Sequence, residues 1–538
     1  MVKDTKTFTV KKFNRCSRIA SCCFLMVWVA FLAYMRTLRL GSVVIAVPVG
    51  VLWVALQYLP ESRWQGLRRL NARIWNAVDG VFSERELFGN VWVVGFLIFF
   101  MAYLAYFPGI FGYDAAAQFA MYMGKIDFHS AKQPLFHTLT IGVVLSAGKA
   151  VLGSYSAGLA AYVAVQGALI TNCVAHIVIF LKRHRCFLPA VAAGLLWLVC
   201  NPYIQILNCN ITKDVLFGVF FLEFVISFIY ALEHEKNSFG DVARMTGTGI
   251  LLCLFRNGFV LPFIVLAAVC FALRIRKKEI FLSFAIILVV VEGFSTTADL
   301  AFGIKKGPVR EYMSVPIQQM AEVLYLEESG MADVVLSDVQ RQELLELLPD
   351  EEELLYGFRQ GNADAPKAIF REEKLKGNLA RYIQLYLSVG SKNGNLYRDA
   401  WIYMMHPYFA MNDNEDRALM LYDFLSIYFA EDEVQIDTAP HWLLFYRHYL
   451  DNAARGEVRW LHEPGIAFLL LGILTARMIA ERKRSILLGL VFVLFYFSGI
   501  LLAPVALMRY TYPLMLAVPL FAGLSCATAP LDHEEPHS

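Results

Sequence analysis

Five short runs carry side chains able to act on an anionic, hydroxylated substrate. The first is Phe107-Pro108-Gly109-Ile110-Phe111-Gly112-Tyr113-Asp114, in which Pro108 and Gly109 stop a helix and turn the chain. Asp114, flanked by Tyr113 and followed by Gln118, then sits at a surface. A carboxylate there suits a general base for a hydroxyl, or a divalent cation such as Mg or Mn. It suits equally well the N-cap of a helix over Ala115–Met123. The second run, Lys132-Gln133-Pro134 with His137-Thr138, opens an apolar segment and either faces a cavity shared with Asp114 or meets backbone and lipid headgroups. The third is Asn201-Pro202, Asn208, Asn210, Thr212, Lys213 and Asp214. Lys213 there binds a phosphate that Asp214 orients, or it snorkels beside an Asp cap. The fourth pairs Arg256-Asn257, inside an apolar stretch, with Arg509-Tyr510, and arginine suits bidentate phosphate contacts. The fifth, Arg310-Glu311 through Gln318-Gln319 with the later His406-Pro407-Tyr408, either roofs a cavity or packs a domain.

What must position these runs is a membrane. The 538-residue chain is 58% hydrophobic and only 17% charged, against roughly 45–50% and about 25% in soluble domains. That excludes an ordinary soluble enzyme and a disordered chain, and a net charge of +2 leaves no footprint for nucleic acid. A spanning helix needs about 20 apolar residues. Such segments run over 19–35, 41–58, 91–107, 157–181, 187–207, 212–232, 279–300, 464–480, 484–503 and 507–527. The stretch 245–273 is broken by Arg256-Asn257-Gly258 and reads as two short helices that enter and return. Counting that pair as two gives about twelve passes. Lysines and arginines of the tail, of 59–90, 182–185, 274–278 and 482–484 then fall on the cytoplasmic side, with both termini. This register requires the segment 135–152 to be embedded or interfacial rather than spanning.

The expected organisation is a basic tail (1–18), two spans (19–58), a cytoplasmic amphipathic segment (59–90), a membrane core (91–300) with an outer loop at 108–134, an external domain (301–460), final spans (461–527) and a tail (528–538). In 59–90, Trp64, Leu67, Asn71, Ile74, Val78 and Val81 recur at helical spacing beside arginines. This is a helix on an anionic leaflet or a solvated connector. The segment 301–460 holds 26 Asp and Glu against 16 Lys and Arg and no cysteine. Helical patterns at Val315–Leu326, Asp338–Leu348, Leu375–Leu387 and Arg417–Phe429 make it mainly helical, and Asp350-Glu351-Glu352-Glu353 reads as a solvated helix start. The fold class is an all-α membrane bundle with a mainly helical external domain between late spans.

The order of these runs resembles the GT-C superfamily of integral-membrane glycosyltransferases. It is closest to an uncharacterised bacterial GT-C-like family sharing Pro108-Gly109…Asp114, Lys213-Asp214-Val215-Leu216-Phe217, Arg310-Glu311…Ser314…Pro316…Gln318-Gln319 and His406-Pro407-Tyr408. The resemblance covers roughly residues 91–527. It departs at Gln133, where such proteins often carry His; either His137 takes over that position's role or the role is absent. The resemblance implies a bacterial plasma-membrane enzyme using a polyprenyl-phosphate-linked sugar and a glycan, lipid or protein acceptor at the outer face. It gives Asp114 the role of base or metal ligand. Lys213, Arg256 and Arg509 are candidates for the donor phosphate. Tyr113, Gln118, Gln133, His137, Asp214, Asn257, Arg310, Gln318 and His406 are supporting candidates. A flippase for a lipid-linked sugar and a non-catalytic glycan-binding membrane protein are the other readings.

Overall fold

The computed structural model describes residues 3–58, 65–127, 133–303, 308–349, 352, 356–410, 424–430, 433–436, 443–455 and 462–526. Trp64, Lys132, most of the acidic run at 350–353, most of the Arg417–Phe429 pattern and the tail 528–538 lie outside them. Among the described residues all regular structure is helical. In chain order the first part is α1 (Lys3–Thr37), α2 (Ala46–Tyr58), α3 (Gln65–Val81), α4 (Glu84–Ala105), α5 (Ala115–Tyr122), α6 (Leu135–Leu152) and α7 (Tyr155–Arg183). There follow α8 (Leu188–Cys200), α9 (Pro202–Asn208), α10 (Lys213–Glu233), α11 (Phe239–Phe255), α12 (Val260–Ala272) and α13 (Lys278–Phe302). The polar segment holds α14 (Ser314–Ser329), α15 (Asp338–Leu347), α16 (Asp364–Ile369), α17 (Leu379–Lys392), α18 (Gly394–Met405) and α19 (Leu444–Arg455). The chain closes with α20 (Gly465–Glu481), α21 (Arg484–Ile500), α22 (Met508–Leu516) and α23 (Val518–Ser525).

Seven described helices are long and apolar enough to cross a membrane, or up to eight if α8 and α9 form one bent span. The sequence suggests more because several apolar stretches are interrupted. Asn201-Pro202 bends α8 from α9 by 63°. Arg256 is extended, at φ −145° and ψ 115°, and Gly258 is left-handed at φ +77°, so α11 and α12 are separate short helices. Pro513 and Pro519 interrupt the last apolar stretch within and after α22.

The centre is α10, buried on nearly every side from Asp214 to Ile229. A helix apolar all round belongs inside a bundle; here α7, α11, α21 and α22 surround it. Polar contacts then sort the two ends of the bundle. The start of α4 meets the end of α7 through Arg183 and Glu84 at 2.7 Å. The same face gathers Lys277 on the Ala231 carbonyl at 2.9 Å and Ser485 on Glu233 at 3.0 Å. Asp114 lies beyond the other end of α4, with Gln133 and the start of α10.

This arrangement constrains α6. Its length and hydropathy suit a crossing. Its first residue follows Gln133 on the Asp114 face, and a two-residue turn joins its end to α7, which finishes on the opposite face. At 1.5 Å per residue the 29 residues of α7 cover about 43 Å, more than a hydrocarbon core of about 30 Å. So α6 starts and ends on the Asp114 side.

The polar segment divides in two. Residues from Ile317 to Tyr397 pack a core of their own around Val323, Leu344, Leu385 and Val389. From Ile402 onward, Met405, Tyr408, Phe409 and Leu450 join the main core of the bundle.

Candidate functional site

Two loops carry the site, and backbone bonds pin one to the other. Ile110 donates to the Cys209 carbonyl at 2.8 Å, and Ile211 donates to the Ile110 carbonyl at 3.1 Å. Gly109 makes that approach possible. Its φ is +137°, and a Cβ there would lie 2.6 Å from Val163 Cγ2 and 3.3 Å from the Cys209 carbonyl oxygen. The clamp brings the end of the first run to the start of α10.

Asp114 stands at the N-cap of α5 but makes no side-chain cap bond. Its Oδ2 instead accepts from Lys213 Nζ at 3.1 Å and Arg509 Nη1 at 2.9 Å. Lys213 also donates to Gln133 Oε1 at 2.9 Å, so it does not snorkel. Asp214 is 1% exposed and accepts from Arg256 Nη1 at 2.7 Å, with Arg509 Nε at 3.6 Å from its other oxygen. Arg509 therefore bridges both carboxylates. Three cations face two carboxylates, leaving one net positive charge. Aromatic faces support the guanidinium groups: Arg509 lies 4.4 Å from the Tyr113 ring centre, and Arg256 5.0 Å from Phe217 and 5.3 Å from Tyr510. Cation–π contacts of this kind help hold charge away from water. Burial opposes ionisation of Asp114, but Arg509 and Lys213 outweigh it and hold the carboxyl well below the usual range.

A cavity of about 540 Å³ opens on this cluster. Asp114, Gln133, Lys213, Arg509 and Tyr510 form its membrane side. Arg310, Glu311, Tyr312, Asp364 and Lys367 cover it from the polar segment, and Pro504, Val505 and Leu507 make an apolar wall. Lys367 is buried between Glu311 Oε2 and Asp364 Oδ1, each at 3.0 Å.

The other candidates distribute as follows. His137 is fully buried between Gln118 Oε1 and the Tyr162 hydroxyl, both at 2.9 Å, and Gln118 also meets Thr138. These side chains support the site from within and do not line the cavity. Asn257 lines a separate cleft of about 160 Å³ between α6, α13 and the α11–α12 break. Gln318 is buried in α14 with its amide on the Arg359 carbonyl at 3.1 Å, away from the cavity. His406 is outside the cavity lining as well; it opens a single turn whose Tyr408 is fully buried.

Asp364 and Lys367 had no signal in the sequence, because charged residues are ordinary in a polar segment. Glu223 did have one. It sits in the middle of α10 with His176 at 2.6 Å and Arg244 at 2.6 Å, and a carboxylate inside a spanning segment is a functional candidate by cost alone. Among the described residues no group of three or more His, Cys, Asp or Glu side chains converges. With both site carboxylates engaged by guanidinium or ammonium groups, the donor set suits an anion better than a divalent metal.

A model for a family of unknown function, DUF6020, matches residues 128–534, well over half of the chain. The chain belongs to that family. Lys213, Asp214, Arg256 and Arg509 of this DUF6020 protein fall within the matched segment, and Asp114 precedes it. No curated protein and no solved structure matches the chain.

Proposed function

We propose that this DUF6020 protein is a membrane glycosyltransferase. It moves a sugar from a polyprenyl-phosphate-linked donor to a cell-envelope acceptor at the outer face of a bacterial plasma membrane. A twelve-pass chain with both termini cytoplasmic fits this reading. The observation that carries it is the convergence of Asp114, Lys213 and Arg509 on one cavity between bundle and polar segment.

The donor phosphate sits on Lys213 and Arg509, with Arg256 and Asp214 fixing the second guanidinium from behind. The acceptor oxygen attacks the anomeric carbon as the bond to the phosphate oxygen breaks. The acceptor's proton passes to Asp114, and the electron pair leaves on the lipid phosphate, where fixed positive charge is already in place. In the free protein the same two cations occupy Asp114, which makes it a weak base. A bound phosphate competes for them and frees the carboxylate, so donor binding precedes base catalysis. Glu311, Asp364 and Lys367 offer alternating acceptors and a donor for acceptor hydroxyls.

The test is full-length protein in proteoliposomes with undecaprenyl-phosphate-linked sugars and envelope extracts as acceptor. Asp114→Asn should remain folded and lose sugar transfer. Full transfer in that variant takes Asp114 out of the chemistry. Labelled donor crossing the bilayer unconsumed replaces transfer with transport.

A further inference from the structure

The end of the bundle opposite the cavity carries a helix that the proposed chemistry does not use. α3 is seated on the 182–188 turn by side chains from one sector. Asn71 Nδ2 donates to the Arg185 carbonyl at 3.0 Å, and its Oδ1 accepts from Leu188 N at 3.0 Å. Trp75, 2% exposed, donates to the Cys186 carbonyl at 2.7 Å. Asp79 pairs with Lys182 at 2.8 Å and Arg185 at 2.7 Å. Three points along the helix therefore meet one turn, so α3 lies across the end of α7.

At about 100° per residue, the next sector around α3 is Leu70, Ile74, Ala77 and Val81. Leu70 and Val81 are 53% and 68% exposed and Ile74 is half-buried between them, so protein leaves most of this side uncovered. Beyond it stand the exposed Arg69 and Arg73. One helix thus presents, in order, a protein-bound face, an uncovered aliphatic face and a cationic face. The neighbouring turns add Arg183, paired with Glu84, and Lys277, on the Ala231 carbonyl.

We infer that α3 is a binding site for anionic phospholipid. It is held flat by the bundle, with Leu70, Ile74 and Val81 at the acyl boundary and Arg69 and Arg73 on lipid phosphates. Bare aliphatic side chains beside arginines, at the level where a spanning helix ends, match that boundary in both polarity and charge. This rests on the packing of α3 and not on the chemistry of the cavity.

The test places the full-length chain in nanodiscs of phosphatidylcholine alone or mixed with phosphatidylglycerol. Hydrogen exchange is followed over residues 65–81. Exchange should slow several-fold when phosphatidylglycerol is present, while the polar segment stays unchanged. Native mass spectrometry should find phosphatidylglycerol enriched among retained lipids, and Arg69→Gln with Arg73→Gln should cut that enrichment roughly tenfold. Equal exchange in both lipids overturns the inference, as does enrichment that survives the double substitution. So does protection of α3 by a second copy in both lipids alike. Sugar transfer is read separately, so neither outcome depends on the proposed reaction.

Discussion

Asp214 and Glu223 stand on the same helix, nine positions apart, and each is held by arginine. Asp214 meets Arg256 and Arg509 at the end of α10, where Arg509 reaches on to Asp114 and the cavity. Glu223 meets Arg244, His176 and Asn172 inside the bundle, where α7 and α11 close on it. The two clusters look alike as buried ion pairs. They differ in what the cations do next. At the Asp114 end a cation is shared between two carboxylates beside open volume, so an incoming anion has something to displace. Around Glu223 the partners complete one carboxylate. Buried charge alone therefore does not mark a site; charge that a ligand can exchange does.

The contrast breaks first on activity. Asp114→Asn or Arg509→Gln should lower sugar transfer by about 10²–10⁴-fold, measured per folded molecule. Glu223→Gln should leave it within a few-fold. Equal losses would erase the distinction between the clusters. Stability should show the reverse order. Arg244→Met leaves Glu223 with only His176 and Asn172, at a cost of about 1.5–3 kcal/mol, visible as a clear fall in melting temperature with transfer per folded molecule retained. A normal melting temperature with lost transfer would make the Glu223 cluster part of the reaction.

The clamp gives a smaller effect. Gly109→Ala strains a backbone at φ +137° by about 1–3 kcal/mol and pushes on Val163, so it should lower transfer by roughly tenfold through misplacement of Asp114. Gly124→Ala carries the same kind of strain at φ +72° with open space around it, and should cost stability alone. The smallest effect concerns pH. The folded Asp114 carboxyl is depressed, so its contribution is complete above the unfolded value of about 3.9 and is lost only as pH falls towards the folded one. Thermal stability between pH 5 and 8 should be the same for wild type and Asp114→Asn in slope. An acidic limb above pH 5 that disappears in the variant would mean that Arg509 and Lys213 do not hold the carboxylate.

Much of the helical, membrane-embedded character was legible in the sequence, because apolar length and breaks at Arg256-Asn257-Gly258 are local properties. The residues that converge were legible as types. Lys213 had two readings, and Asp114 read equally as a cap. Only the missing cap bond and the paired cations decide between them. His406 and Gln318 shared the polar signature of the site and yet lie away from the cavity, since a short motif carries no information about where its segment folds back.

The chain by itself determined composition, helix breaks, the basic and acidic segments and the candidate residue types, all set by neighbours within a turn or two. Tertiary structure decided which charges meet. Asp114 and Arg509 are 395 positions apart, and the cation that reaches Asp114 depends on how α10, α22 and the Ile110 clamp pack. It also decided that Asp364 and Lys367 roof the same cavity. Long-range pairing follows from the filling of a common core, and no local pattern of residues encodes it.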